Sequence, residues 1–307
     1  MPLIDRTTSG VYIICATPFT ETGALDLDSL DRLVDFYVGT GVTGLTILGM
    51  MGEADKLTPE ERRAVIDRVM ARTSLPVVVG VSDAGLGNLA ALGLYAMEKG
   101  AAGLMVAPSK GSPREDRVIA YFHAVAGALG RDVPIVFQDF PQSTGIPVSS
   151  RTILELSADL PQMVMLKHED CPGLTKITTL REAEATGAPR LSILCGNGGL
   201  YLPQELARGA DGAMTGFAYP EALVETVRLW QEGKQAAAED LFDRYLPILR
   251  HEQQPGWGLA VRKTVLMKRG AIACAATRAP GPRLTGTDVA ELERLMGRLA
   301  KKLAKEV

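Results

Sequence analysis

The stretch Met163-Val164-Met165-Leu166-Lys167 places four apolar residues directly before a lysine. A short apolar run bounded by polar or turn residues is typical of a buried β-strand. An amine at the end of such a strand is partly removed from water, which disfavours the ammonium form and frees the nitrogen as a nucleophile. A neutral amine beside a carbonyl substrate can form a Schiff base. Most lysines are solvated surface residues, so the rest of the chain must decide what Lys167 does.

Short apolar runs recur before and after Lys167, and most of them alternate with helical patterns. The predicted strands cover residues 11–16, 44–48, 75–81, 103–107, 134–139, 163–167, 191–195 and 212–215. Eight alternations of strand and helix within about 230 residues favour an α/β fold of the closed (β/α)8 TIM-barrel type. A doubly wound sheet would need a glycine-rich turn after the first strand, and Thr17-Pro18-Phe19 stands there instead.

Local signals mark where the helices begin and end. Thr58, Pro59 and Glu61 form a capping box with proline at the first helical position. Three similar junctions, at residues 41–44, 100–103 and 209–212, each place glycine between a helix and the next strand. After about Gly233 the alternation stops, and helical patterns cover 235–249, 258–269 and 287–303. We therefore expect a barrel over 1–233 and a helical region over 234–307, packed on the barrel or on a neighbouring subunit.

The composition narrows the class of partner. The 307 residues are 46% apolar and 22% charged with a net charge of −3, which argues against nucleic acid or an anionic membrane as a partner. The chain shows no apolar run of membrane-spanning length and no signal-peptide pattern, and its four cysteines form no CxxC pair. These features predict a cytoplasmic protein with reduced thiols. The three histidines share no metal-ligand spacing, so neither a metal nor another cofactor is predicted.

A barrel of this kind carries its active site at the C-terminal ends of the strands. Those ends fall at residues 17, 49–53, 82–83, 109–110, 138–139, 167, 196–197 and 215–216. They hold one lysine after an apolar strand, several glycines, amides and hydroxyls. Glycine lets the backbone approach a ligand, and a loop such as 49–52 can present N–H groups to a carboxylate. The pattern suits a small keto acid better than a nucleotide or a polymer.

These residues jointly resemble the dihydrodipicolinate synthase/N-acetylneuraminate lyase family of class I Schiff-base lyases, over nearly the whole chain. The resemblance rests on Thr17-Pro18-Phe19, Gly49-x-x-Gly52-Glu53, Leu57-Thr58-x-Glu60-Glu61-Arg62, Pro141, Thr144-Gly145, Lys167, Gly196-Asn197 and Gly209-Ala-Asp-Gly212. It implies a barrel with a C-terminal helical region, assembled as a homotetramer. It also implies that Lys167 forms an imine with pyruvate or another 2-keto acid, whose carboxylate is held by the backbone of Met50 and Met51.

The chain departs from the family pattern at several positions, and four of them have a functional role in the family. Gln138 stands where the family has its proton-donating tyrosine, Met50 replaces a threonine of the proton relay, and Lys110 replaces a second tyrosine. Ser143 stands where the synthase has an arginine that binds its second substrate. Methionine has no exchangeable proton and serine no carboxylate-binding fork, so the synthase reaction is disfavoured. Gln138-Asp139 with Lys167-His168-Glu169 instead resembles the branch that includes 2-keto-3-deoxy-L-arabonate dehydratase.

The candidate catalytic residues are Lys167, Gln138 and Glu53. The candidate substrate-binding residues are Met50, Met51, Ser143, Thr144, Gly196, Asn197, Met214 and Thr215. Because glutamine cannot titrate, proton transfer is left to the substrate's own carboxylate, a bound water, or one of Glu53, Asp139 and Glu169. Neighbours on a strand face opposite ways, so Asp139 and Glu169 can point out of the barrel, and His168 should face away from Lys167.

Several functions fit these residues. The favoured one is a dehydratase of a 2-keto-3-deoxy sugar acid. The alternatives are a pyruvate-releasing aldolase of the same family, dihydrodipicolinate synthase itself, and a non-catalytic relative that binds keto acids.

Overall fold

The computed structural model describes residues 2–109 and 114–304. Its strands, numbered in chain order, are β1 (Gly10–Ile14), β2 (Gly44–Ile47), β3 (Val77–Gly80), β4 (Gly103–Val106), β5 (Ile135–Asp139), β6 (Met163–His168), β7 (Ser192–Cys195) and β8 (Gly212–Thr215). Every strand pairs in parallel with its neighbour in sequence, and β1 also pairs with β8. The predicted TIM barrel is therefore confirmed, with each strand within three residues of its expected bounds.

Helices connect the strands on the outside of the barrel. They are α1 (Leu27–Gly39), α2 (Pro59–Arg72), α3 (Leu86–Glu98), α4 (Glu115–Leu129), α5 (Pro141–Thr144), α6 (Ser150–Asp159), α7 (Leu174–Ala185), α8 (Leu202–Ala207) and α9 (Pro220–Gln231). The capping box that opens α2 is present, because Thr58 Oγ1 accepts the Glu61 N–H and the Glu61 carboxylate accepts the Thr58 N–H. It fixes the point at which the long loop after β2 ends.

The barrel has two apolar layers. Side chains between strands and helices form the larger core, and a separate cluster fills the barrel interior. The interior cluster includes Tyr12, Ile14, Val78, Met105, Val136, Met165, Leu194 and Met214. Because alternate residues of a strand share a face, the interior face of β6 runs from Met165 to Lys167. The lysine thus stands at the C-terminal end of the barrel interior.

Three further helices follow the barrel: α10 (Gln235–Glu252), α11 (Gly258–Lys268) and α12 (Gly286–Leu303). Helix α10 packs on α9, and α11 and α12 pack on α10. The segment after α11 returns to the loop that follows β2, where the Arg278 N–H donates to Glu53. The Arg278 guanidinium pairs with Glu61 in the first turn of α2. Within the described ranges, no helix is both long enough and apolar enough to cross a membrane.

Candidate active site

Lys167 lies in β6, which pairs with β5 on one side and with β7 on the other. Its register partners are Gln138 on β5 and Leu194 on β7. The residue is 5% exposed, so its amine is largely shielded from bulk water. Because Gln138 continues the interior face of β5 after Val136, its side chain stands beside the lysine.

Glu169 meets both of these side chains. Its Oε1 lies 2.8 Å from Lys167 Nζ and accepts a 2.8 Å hydrogen bond from Gln138 Nε2. The exposed fractions of the lysine and glutamate side chains are only 6% and 8%. Of the two alternatives left open for Glu169, the outward orientation is therefore wrong, and its side chain faces Lys167. Residues two apart on an extended chain share a face, so Glu169 follows Lys167 and not His168.

Gly196 and Asn197, expected to bind substrate, hold Glu169 in place. A Cβ on Gly196 would lie 2.0 Å from Glu169 Cγ, so only glycine leaves room for the glutamate. The Gly196 N–H donates to the His168 carbonyl at 2.7 Å, and Asn197 Nδ2 donates to the Glu169 carbonyl at 2.8 Å. Asn197 has φ of 49°, a left-handed conformation that asparagine tolerates better than most residues. The β7 end therefore fixes the carboxylate against Lys167.

A cavity of about 640 Å³ opens over the strand ends. Its wall includes Gly49, Met50, Glu53, Lys56, Arg62, Ser82, Asp83, Met105, Gln138 and Ser143. Met50 is 37% exposed, and its Sδ lies 3.0 Å from Ser143 Oγ, so these two candidates meet at the cavity wall. Met51 instead packs down onto the interior cluster. Residues 50–52 form one turn of 3₁₀ helix, whose first N–H groups have no partner within the turn.

Glu53 has both carboxylate oxygens engaged by donors. Lys263 Nζ lies 2.6 Å from Oε1, while Lys56 Nζ and the Arg278 N–H each lie 2.9 Å from Oε2. The residue is 2% exposed, and its backbone adopts φ of 54°, which is unusual for a residue other than glycine. These contacts make Glu53 an anchor of the loop, not a group that is free to exchange protons with a substrate.

Three further substrate-binding candidates differ in position. Thr144 lines a smaller cavity of about 240 Å³ that shares Met50 with the larger one, but its hydroxyl donates to the Phe140 carbonyl. Met214 belongs to the interior cluster, so the next residue, Thr215, faces the outer layer and does not reach the cavity. Lys110, the residue in place of the second tyrosine, lies outside the described residues.

Asp139 and His168 lie behind the strands, away from Lys167, as the alternation predicts. Lys176 Nζ lies 2.6 Å from Asp139 Oδ2. The His168 ring nitrogens each lie 3.9 Å from a carboxylate oxygen, one on Asp139 and one on Glu205. Burial raises the pKa of Asp139 to about 6, although Lys176 opposes this shift. Burial likewise lowers the pKa of His168 to about 4. Together these groups form a buried polar layer outside the barrel.

A buried lysine and carboxylate at the C-terminal end of a closed (β/α)8 barrel define a barrel enzyme with its site at the strand ends. The sequence profile of the Dihydrodipicolinate synthetase family matches residues 7–298, and the chain belongs to this family. The resemblance drawn from the motifs is thereby confirmed. The protein is a lyase of this family, whose members act on small keto acids.

The similar proteins are described as two kinds of enzyme, a dehydratase and a synthase. The chain is 30% identical to L-2-keto-3-deoxyarabonate dehydratase of Azospirillum brasilense, over 94% of each chain. It is 32% identical to 4-hydroxy-tetrahydrodipicolinate synthase of Methanothrix thermoacetophila, over 78% of this chain and 80% of that one. A crystal structure described as dihydrodipicolinate synthase from Rhodopseudomonas palustris is 44% identical with a TM-score of 0.95, covering 97% of this chain and 100% of that one.

Proposed function

We propose that this lyase dehydrates a 2-keto-3-deoxy sugar acid through an imine on Lys167, with Glu169 as the acid–base group. One observation carries the proposal. Glu169 Oε1 lies 2.8 Å from the Lys167 amine and 2.8 Å from the amide of Gln138. A carboxylate in direct contact with the amine supplies the titratable group that Gln138 cannot.

The reaction then follows from the chemistry of the imine. Lys167 gives a proton to Glu169, and its neutral amine attacks C2 of the keto acid. Glu169 returns this proton to the C2 oxygen and the attacking nitrogen supplies a second one, so the C2 oxygen leaves as water and Glu169 is again a carboxylate. The cationic imine withdraws electrons from C3, so Glu169 as a carboxylate removes a C3 proton and an enamine forms. The enamine expels the hydroxyl on the adjacent carbon, and Glu169 returns the proton so that water leaves. Hydrolysis of the remaining imine releases the product and restores the amine.

The residues around the pair have supporting roles in this proposal. Gln138 donates to Glu169 and holds it in line with the substrate, while Gly196 provides the space that the glutamate occupies. The N–H groups at the start of the 50–52 turn, which have no partner within the turn, bind the keto-acid carboxylate. The cavity of about 640 Å³ receives the hydroxylated tail. The similarity to the Azospirillum dehydratase over 94% of each chain supports the same substrate class.

Product analysis tests the proposal. The protein is incubated with 2-keto-3-deoxy pentonates and hexonates of both stereochemical series, and products are identified by NMR and mass spectrometry. We expect a product that keeps every carbon and has lost one water. Release of pyruvate would identify an aldolase instead, and failure to convert any keto acid would point to a non-catalytic relative.

Dihydrodipicolinate synthase activity is the second candidate, because the structure from R. palustris described by that name is 44% identical to this chain. The site offers it less support. Met50 cannot pass protons as a threonine would, and Ser143 replaces an arginine. Consumption of pyruvate together with the synthase's aldehyde co-substrate, at a rate above that of dehydration, would favour this activity.

We also propose that the chain forms a homotetramer in the cytoplasm. The usual assembly of the family supports the oligomer. The four cysteines are free, with Cys15 and Cys195 buried, and unpaired thiols are typical of a reducing compartment.

A further inference from the structure

Helix α11 carries two consecutive charged residues that are both buried. Arg262 is 1% exposed and Lys263 is 0% exposed. Residues of this kind are almost never fully buried unless they are paired. Each has a carboxylate partner, but the two partners belong to different parts of the molecule. This difference separates their roles.

Lys263 reaches the loop that follows β2. Its Nζ lies 2.6 Å from Glu53 Oε1, donates to the Ala276 carbonyl at 2.9 Å, and stands 4.5 Å from the centre of the Phe19 ring. The amine is thus fully engaged, and it is not part of the cavity wall. Burial lowers the pKa of Lys263, while the Glu53 carboxylate opposes that shift.

The loop that Lys263 reaches is the one whose first N–H groups have no partner within the 3₁₀ turn. Glu53 closes the 3₁₀ turn of residues 50–52, since its own N–H donates to the Met50 carbonyl at 3.0 Å. From the other side, Thr17 Oγ1 donates to the Gly52 carbonyl at 2.5 Å. The side chain of Glu53 therefore connects the turn to helix α11 at a residue whose backbone is left-handed, with φ of 54°.

We propose that Lys263 is a positioning residue that holds the 49–53 loop, through Glu53, in the shape that binds the keto-acid carboxylate. The claim rests on the proposed function, in which this loop is the carboxylate site. It assigns the C-terminal region a part in substrate binding although Lys263 does not itself line the cavity.

Arg262 provides a matched control on the same helix. Its Nε lies 2.5 Å from Glu252 Oε1 and its Nη2 donates to the Gly216 carbonyl at 2.6 Å. This pair is as buried as Lys263 and Glu53, yet it joins α11 to α10 and to the end of β8, not to the 49–53 loop. Breaking it should disturb the helical region without moving the carboxylate site.

The experiment compares Lys263→Met and the neutral double variant Glu53→Gln/Lys263→Met with Arg262→Met and Glu252→Gln/Arg262→Met. The double variants guard against misfolding, because replacing both members of a buried ion pair leaves neither member as an unpaired buried charge. Lys56, which also contacts Glu53, is 19% exposed and keeps access to water. Each folded variant is titrated with pyruvate in the presence of borohydride, and the reduced adduct on Lys167 is measured by peptide mass.

We expect the pyruvate concentration for half-maximal trapping to rise about ten- to a hundredfold in the Lys263 variants, because the loop is displaced from its binding shape. Trapping at saturating pyruvate should match the wild type, since Lys167 is untouched. The Arg262 variants should keep the wild-type concentration dependence. An unchanged concentration in Glu53→Gln/Lys263→Met, or an equal rise in the Arg262 variants, would overturn the proposal.

Hydrogen exchange separates this proposal from the proposed function. If the wild type forms no adduct with any keto acid, the proposed function fails. The amides of residues 49–53 then decide the positioning claim. Faster exchange there in Lys263→Met, but not in Arg262→Met, supports it. Equal exchange in the two variants contradicts it.

Discussion

Two features of individual residues bring Glu169 into contact with Lys167. It lies two positions further along the same extended chain, and Gly196 on the neighbouring strand leaves space for its side chain. The period of the strand makes the first feature readable from Lys167-His168-Glu169 alone. The second depends on pairing between β6 and β7, which no local pattern specifies. The sequence therefore indicates that Lys167 and Gln138 stand at the strand ends. For Glu169 it indicates the face of the strand but not the space that Gly196 provides.

Glu169→Gln tests the acid–base role. Glutamine fills the same volume but cannot take or return a proton, so we expect kcat for dehydration to fall about 10²- to 10⁴-fold. Borohydride should still trap an imine on Lys167, more slowly than in the wild type. Dehydration at the wild-type rate in this variant would exclude Glu169 as the acid–base group.

Gly196→Ala tests the same carboxylate without altering any reacting atom. The added Cβ would lie 2.0 Å from Glu169 Cγ, so the glutamate must leave its place and kcat should fall by about tenfold or more. Gly127→Ala is the control, because no atom beyond the neighbouring residues and backbone of α4 lies within 4 Å of the added Cβ. That change should leave kcat unaltered and raise stability by about 0.5–1 kcal/mol. Equal kcat values in the two variants would contradict the packing argument.

At the scale of elements, apolar runs and caps predict most of the barrel. The eight strands and the start of α2 follow from short-range patterns. Helix α5 is a single turn of four residues, too short for a periodic pattern. In α11 the charges of Arg262 and Lys263 look like a solvated face, but Ala260, Val261, Val265 and Leu266 surround them along the helix and are buried too. The absence of a polar face on a helix indicates that its charged residues are buried. The pattern does not show which residues they pair with.

The polar layer outside β5–β7 gives a pH prediction. Burial raises the pKa of Glu205, on α8, from 4.5 to about 7. A group with a higher pKa in the folded state than in the unfolded state stabilises the fold at low pH. That contribution is lost as pH rises through the window from about 4.5 to 7. The raised pKa of Asp139 likewise makes the fold less stable as pH rises. The lowered pKa of His168 has the opposite effect on stability.

Glu205→Gln should remove this dependence. Between pH 5 and pH 8, we expect the unfolding free energy of the wild type to fall relative to the variant by on the order of 2 kcal/mol. Urea unfolding of both proteins at the two pH values measures this difference. Parallel changes in the two proteins would mean that Glu205 ionises equally easily in the folded and unfolded states.

At the scale of the whole molecule, the C-terminal helices complete the surroundings of the site. Lys263 and Arg278 reach back to Glu53 and Glu61, residues that lie more than two hundred positions earlier. Helical periodicity predicts that these helices exist, but their contacts with the loop after β2 arise only from the tertiary fold. We therefore propose that residues 234–307 do not form an independent unit.

The assembly is a further prediction at this scale. We expect light scattering coupled to size exclusion to give four times the chain mass of 32.8 kDa. The apolar side chains of Leu86 and Leu94 on α3, 38% and 49% exposed, are the kind of surface that an oligomer covers. A mass of one chain across micromolar concentrations would contradict this expectation.

The most direct test of the imine mechanism is borohydride reduction in the presence of pyruvate and of a panel of 2-keto-3-deoxy acids, followed by peptide mapping. The contact between Lys167 and Glu169 predicts one reduced adduct, on Lys167. The proposed dehydratase function predicts that a 2-keto-3-deoxy acid is trapped at lower concentration than pyruvate. Absence of any adduct on Lys167 in the folded protein, across the whole panel, would contradict the mechanism.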